Sequence, residues 1–300
     1  MRRNARINWE LYAIIAVPVI WLLIFHYYPM YGVQIAFRKF TVSKGILGSP
    51  YVGLQYFEKF VKSYNFKRVV SNTLSISIYD LIMGFPFPII LALLLNNCLR
   101  PRYKKFVQIV TYMPYFISTV VMVGIIIQFL SPKVGVVNYA IKALGGNEID
   151  FMGRPEYFKH IYVWSNIWQG TGWSAIIYLS ALASIDPGLH EAALVDGANR
   201  FKRMWHIDLP GILPTITIML TLRMGSIMSV GFEKAFLMQN NLNLSTSEII
   251  STYVYKVGLA SAAPDYSYSA AIGLFNSVIN LVLIATVNRI NARINEISLW

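Results

Sequence analysis

The sequence predicts an all-α membrane protein that crosses the bilayer six times, and three observations carry that expectation. Of 300 residues, 56% are hydrophobic and 13% are charged, where a soluble domain carries about a quarter charged. The apolar residues gather into stretches of about 11–37, 70–97, 107–130, 160–184, 211–233 and 267–289. Each is long enough to span a hydrocarbon layer of roughly 30 Å as a helix. Only a helix can satisfy such a segment's backbone hydrogen bonds internally, as lipid demands. Finally, the Lys and Arg residues behind the net charge of +12 lie in short blocks between the apolar stretches. That placement fits helix ends at a membrane surface and not the clustered basic face of a nucleic-acid-binding protein.

The first stretch follows Arg2, Arg3 and Arg6 and runs from about Leu11 to Phe37, broken only by Pro18 and Pro29. It is too long for the apolar core of a signal peptide and is expected to remain as an uncleaved first helix. The second and third stretches contain Pro86, Pro88 and Pro114, which are expected to kink them. The fourth is the least apolar, with Ser165, Asn166, Gln169 and Ser174 among its aromatics. A helix of that kind faces protein or a wet cavity more readily than lipid. No internal repeat, low-complexity tract or interdomain linker is visible, so residues 1–300 are expected to form one membrane domain. The lone Cys98 leaves no partner for an intrachain disulfide.

The total of Lys and Arg on the two sides of these spans is nearly equal, so density decides the orientation. The short segment Cys98–Phe106 holds Arg100, Arg102, Lys104 and Lys105, whereas the opposite loops around 38–69, 131–159 and 234–266 are long and dilute. Short loops and the first helix weigh most in the positive-inside rule. Both termini are therefore expected to be cytoplasmic, with the loops around Cys98 and Glu191.

The loop between the fourth and fifth stretches reads Glu191-Ala192-Ala193-Leu194-Val195-Asp196-Gly197, then nine residues, then Ile207-Asp208-Leu209-Pro210. Asp186 can cap a helix with Pro187 at its first position, and Gly197 allows a sharp break after it. In the segment that follows, Phe201, Met204 and Trp205 are spaced to share one helical face, flanked by Arg200, Lys202 and Arg203. By pattern alone, two readings are open. The segment either docks in a groove of a soluble partner or lies flat on lipid headgroups.

This loop resembles the EAA loop of permeases in binding-protein-dependent ABC importers, matching its spacing without an insertion. The resemblance extends along the chain. Tyr27-Tyr28-Pro29-Met30, Asn72-Thr73 and Ala92-Leu93-Leu94-Leu95-Asn96 look like carbohydrate-uptake permeases related to the maltose importer. Residues 231–237, 253–259 and 270–278 look like the LplB branch, whose members are associated with complex saccharides. Gln239-Asn240-Asn241-Leu242-Asn243 stands where maltose-type relatives carry Gly-Gly-Gly-Pro, which favours that branch over a maltodextrin carrier. The resemblance implies six transmembrane helices with a cytoplasmic coupling loop. Glu191, Ala192, Ala193, Gly197, Phe201, Trp205, Leu209 and Pro210 would meet a cytoplasmic ATPase. It also implies a second, related permease subunit, two ATPase copies, an extracytoplasmic sugar-binding protein and an oligosaccharide substrate. No cofactor is expected on this chain. It has no G-x-x-x-x-G-K-[ST] loop, so ATP and Mg belong to the partner ATPase and the chain is not an enzyme.

Sugar sites combine aromatic faces with amides and charges, and the fourth stretch offers Trp164, Trp168, Gln169 and Trp173. Trp168, Gln169 and Trp173 are pathway candidates, with an interfacial aromatic belt as the alternative. Asp80 and Arg223 lie near span centres, where a charge is costly. They either pair with each other or a neighbouring chain, or Arg223 lines the pathway and favours a carboxylated sugar. Asn276 and Asn280, four apart on the last stretch, either face the cavity or bond a neighbouring helix. Other classes remain: an ABC permease for a peptide or other solute, and a secondary transporter. The latter would carry the inverted repeats and interrupted spans that are not seen here. A membrane enzyme would need a nucleophile, metal cluster or carboxylate pair.

Overall fold

The computed structural model of the chain describes residues 9–294; the basic start at Arg2, Arg3 and Arg6 lies outside them. Among the described residues the only β pairing is two isolated bridges, Arg38 with Tyr51 and Thr41 with Gly45. The principal helices are α1 (Trp9–Leu22), α2 (Gln55–Val61), α3 (Tyr64–Gly84), α4 (Pro86–Asn96), α5 (Pro101–Tyr112), α6 (Thr119–Leu130) and α7 (Val136–Ala143). They continue with α8 (Pro155–Leu182), α9 (Pro187–Val195), α10 (Arg200–Arg203), α11 (Leu213–Met224), α12 (Phe232–Met238), α13 (Ile250–Gly258) and α14 (Tyr266–Ile294).

Three helical stretches are long and apolar enough to cross a membrane: Trp9–Phe37, Tyr64–Asn96 and Tyr266–Arg293. The number rises to five if each of two bent pairs is one span, namely Pro101–Phe116 with Thr119–Leu130 and Arg200–Gly211 with Leu213–Met224. The helix expected over 160–184 is present as α8, and its polar content leaves it outside that group. The third expected stretch is not a straight span. It bends by 101° where Pro114 sits in a 3₁₀ turn, Met113–Phe116. The fifth is shorter than expected: α11 ends at Met224, and α12 starts afresh at Phe232. Pro86 and Pro88 leave the second stretch helical but for Phe85, with Pro86 restarting it at a position where its missing N–H is tolerated. The basic segment expected as a loop is helical from Pro101 onward.

The described residues form two compact units. In the first, residues 9–63 with 254–275, α1 has no buried residue. Trp9, Tyr12, Ile14 and Val17 are each about 70% exposed, so α1 carries a largely exposed apolar surface. The rest of this unit is pinned by polar contacts. Ser267 Oγ donates to Arg38 O at 2.6 Å and accepts from Phe40 N at 2.9 Å. Lys59 pairs with Asp265 at 3.0 Å and lies 4.4 Å over the Tyr268 ring.

In the second unit, residues 64–253 with 276–294, α8 carries residues of two buried clusters. One joins Phe158, Tyr162, Val163 and Ile167 to Ile76, Val123, Ala235 and Met238. The other joins Ala175, Tyr178 and Leu182 to Ile89, Ala92, Leu93 and Ile212. Gly172 lets α8 also approach α5 closely, because a Cβ there would stand 2.0 Å from Thr111 O. Two buried asparagines order the loops. Asn138 Nδ2 donates to Leu130 O, Ser131 O and Ile149 O, and its Oδ1 accepts from Ile149 N. Asn243 Nδ2 donates to Met152 O and Met238 O, while its Oδ1 accepts from Ser247 Oγ. The departure from Gly-Gly-Gly-Pro at 239–243 is thus a side-chain hub that glycines could not supply. Arg68 and the buried Glu248 form an ion pair beside it.

Candidate functional site

The loop after α8 folds as its residues suggest. Asp186 accepts a hydrogen bond from Gly188 N at 2.9 Å and opens α9. The helix ends in a Schellman turn: Gly197 N donates to Leu194 O at 3.0 Å and Ala198 N to Ala193 O at 2.8 Å. Gly197 has φ +74°, a left-handed conformation that L side chains adopt at a cost of roughly 1–2 kcal/mol. Asn199 then caps α10 by accepting from Lys202 N at 2.9 Å. The chain does not continue as a plain α-helix, because Met204–Asp208 form a π-helical turn. That turn changes which residues share a face. Phe201 and Trp205 remain outward, 74% and 66% exposed, while Met204 turns in against the cluster of Leu182 and Ile212. Glu191 and Ala192 are exposed on α9 and Ala193 is half-buried. Leu209 packs on that same cluster and Pro210 is exposed.

Sequence reasoning missed two features of this loop. Leu194 and Val195, 56% and 89% exposed, add aliphatic surface to Phe201 and Trp205. Asp208 is fully buried and gathers two amide donors and an imidazole contact. Asn97 Nδ2 reaches Oδ2 at 2.8 Å, Asn96 Nδ2 reaches Oδ1 at 3.4 Å, and His190 Nε2 lies 3.2 Å from Oδ1. The adjacent amides Asn96 and Asn97 after an apolar run were the only sequence signal of such a partner.

Asp80 and Arg223 are brought together as an ion pair, with Asn166 Nδ2 donating to the other carboxylate oxygen at 3.1 Å. The pair lines a cavity of about 230 Å³ with Tyr162, Asn166, Ser226 and Ser229. Arg223 uses Nη2 for Asp80 and keeps 41% of its side chain exposed, so part of its donor fork faces open space. Lys234 lies nearby and buried, with Nζ 5.1 Å over the Tyr162 ring and 3.4 Å from Tyr162 O.

The aromatic candidates divide. Trp168 is 55% exposed and borders an apolar groove of about 350 Å³ with Trp164, Phe87 and Pro114. Trp173 stacks on Tyr115 with ring centroids 4.6 Å apart and planes at 5°, and meets Phe116 edge-on. Gln169 spends its amide on the break of the third stretch, donating to Ile117 O at 2.9 Å. Trp164 Nε1 donates to Tyr79 OH at 3.0 Å, and that hydroxyl bonds His160 Nδ1 at 2.9 Å.

Asn280 bonds the unwound segment after α11, accepting from Met228 N at 3.0 Å and donating to Ser229 Oγ at 2.9 Å. One turn earlier, Asn276 Oδ1 is buried and has no hydrogen-bond partner among the described residues. Among those residues, no group of three or more His, Cys, Asp or Glu is placed to hold a metal.

Residues 60–296 match the family described as "Binding-protein-dependent transport system inner membrane component". "Protein LplB" of Bacillus subtilis (strain 168) is 42% identical over 295 residues, which cover 98% of this chain and 92% of that protein. The "Polygalacturonan/rhamnogalacturonan transport system permease protein YteP" of the same organism is 40% identical over 286 residues, 95% of this chain and 88% of its own. A chain in the crystal structure of a bacterial alginate ABC transporter, in complex with an alginate pentasaccharide-bound periplasmic protein, is 40% identical. It superposes with a TM-score of 0.89, with 97% of each chain covered. The family match spans most of the chain and the two relatives nearly all of it, so the chain belongs to the family of inner-membrane components of binding-protein-dependent transport systems.

Proposed function

We infer that this chain is a permease subunit of an ATP-binding-cassette importer for oligosaccharides, forming half of the translocation pathway. The observation that carries the reading is the loop 186–211, whose capped segments leave Leu194, Val195, Phe201 and Trp205 each exposed to solvent. A rigid turn with exposed apolar knobs is suited to a groove on a soluble protein. Glu191, Ala192, Ala193, Gly197, Leu209 and Pro210 set the loop's shape and complete its contact with the partner ATPase dimer. ATP and Mg act on that partner. The loop moves as a lever when the ATPase closes and passes the motion to the helices.

The saccharide class comes from relatives that carry polygalacturonan or rhamnogalacturonan and alginate in their names. Polygalacturonan and alginate are polymers of sugar acids, so acidic oligosaccharides are the class we assign. Arg223 would meet a substrate carboxylate, with Asn166, Ser226 and Ser229 for hydroxyls. Trp168 and Trp173 offer ring faces for a pyranose. Asn280, and Asn276 with its free carbonyl oxygen, hold the wall of the same pathway. A second, related permease completes the channel, and an extracytoplasmic sugar-binding protein delivers the substrate. The chain would cross the bilayer six times, with α8 as the fourth crossing and both termini cytoplasmic. The bare surface of α1 would face lipid and the second permease.

The test is purification of the chain from its native membrane in mild detergent, followed by identification of what accompanies it. Recovery of a related permease and an ATP-binding subunit is the expected result. Recovery of the chain alone, folded and transporting sugar without ATP, would overturn the reading.

A further inference from the structure

Asp208 carries an inference beyond the docking of the loop. Its carboxylate is fully buried, next to Leu209 and Ile212 of an apolar cluster. A buried carboxylate persists only where donors replace its water. Here the donors are Asn96 and Asn97 from the end of α4, and His190 of α9 stands 3.2 Å from the same carboxylate as its ion-pair partner. Asn97 Nδ2 also donates to Leu93 O at 3.0 Å, which fixes its amide on the last turn of α4.

The chain itself ties the loop to α8 before it and to α11 after it, whereas no covalent connection joins it to α4. We propose that Asp208 is the joint that makes α4 the third helix driven by the coupling loop. It also clamps α9 to the π-helical turn, so that the two halves of the loop move as one body. α4 leads back through Phe85 to α3, which carries Asp80 of the Arg223 cavity. A displacement at the loop thereby reaches the cavity from the α3–α4 side as well as from α11. Asp208 is a positioning residue: it touches neither ATP nor sugar, and it acts through Asn97 and His190. The inference rests on the reading that the loop docks on the ATPase.

The test uses the complete transporter in proteoliposomes, reading sugar delivered per ATP hydrolysed. In Asp208→Asn one carboxylate oxygen becomes an NH2 that meets the amide of Asn96 or Asn97 donor to donor, and the yield per ATP is expected to fall roughly tenfold, within the usual range of coupling between sites. Asn97→Ala, which removes the shorter of the two α4 bonds at a half-buried position and leaves Asn96 at 3.4 Å, is expected to lower the yield in the same direction even if Asp208→Asn does not assemble. The exchange D208N/N97D puts an acceptor opposite a donor again and is expected to recover at least half of the lost yield. An unchanged yield per ATP in Asn97→Ala, or an exchange no better than the two single variants combined, would overturn the joint. Those results leave the docking reading standing. A wild-type assembly that holds no ATPase would sink the docking reading and the joint with it.

Discussion

Asp80 on α3 and Arg223 on α11 are 143 residues apart in sequence and form an ion pair at the edge of a polar cavity. The arrangement answers the question that two charges near span centres pose, since each offsets the other's desolvation. It also leaves Arg223 partly unspent. A single nitrogen holds Asp80, while a carboxylate entering the cavity could take the rest of the fork.

From this follows a specificity test. Arg223→Gln is expected to lower uptake of acidic oligosaccharides roughly tenfold, the worth of one charge-assisted hydrogen bond, and to spare neutral ones. Because Arg223→Gln strands a carboxylate that is only 16% exposed, the companion R223Q/D80N removes both charges and separates selectivity from stability. A double variant that leaves uptake of acidic and neutral sugars equally intact, both at the wild-type level, would contradict the role given to Arg223.

Gly197 and its left-handed φ set the exit of α9. Gly197→Asn, which tolerates that conformation, is expected to keep transport, whereas Gly197→Val is expected to lose it while inserting normally. The cost of the backbone alone is about 1–2 kcal/mol. The measurement is ATPase recovered with each variant from detergent-solubilised membranes.

Gly172 and Gly170 lie two residues apart on α8 and offer a matched pair. A Cβ at Gly172 would meet Thr111 O at 2.0 Å, whereas nothing lies within 4 Å of one at Gly170. Gly172→Ala is expected to cost at least the 1–3 kcal/mol typical of overpacking and to abolish a monodisperse solubilised protein. Gly170→Ala is expected to elute as the wild type does.

Asn243 holds the segment before α13 through four bonds, to Met152 O, Met238 O, Ser247 Oγ and Asn240 N. Asn243→Ala leaves Met238 O and Ser247 Oγ buried without this partner, while Met152 O keeps Asn240 Nδ2 at 2.7 Å, and it is expected to cost about 1–3 kcal/mol. A lowered Tm of the solubilised protein, with the yield of membrane-inserted chain unchanged, is the check.

The helices were legible in the sequence where one physical signal sufficed. The long apolar run of residues 11–37 gave α1 and its continuation, and the amides of the fourth stretch foretold an α8 turned toward protein. Direction was not legible. Hydropathy reads 107–130 as one stretch, yet Pro114 and the Gln169–Ile117 bond turn the chain between α5 and α6. The early end of the fifth stretch has a similar cause. Gly225 lies so close to Ile284 that its Cβ would stand 2.6 Å from Ile284 Cδ1, and Asn280 holds the unwound residues that follow. The shape of loop 186–211 was visible through motif spacing and caps, all local features. Its π-helical turn, and Asp208 with partners up to 112 residues distant, depend on the folded chain.

In the proposed function, ATP hydrolysed on a partner drives saccharide movement through this chain by way of loop 186–211. The most direct measurement is uptake of a labelled acidic oligosaccharide by proteoliposomes holding the complete assembly and its binding protein, with and without ATP. Wild-type uptake is expected only with ATP, and Glu191→Lys is expected to insert normally yet transport nothing. Uptake that proceeds equally without ATP, or that Glu191→Lys leaves intact, would contradict the account.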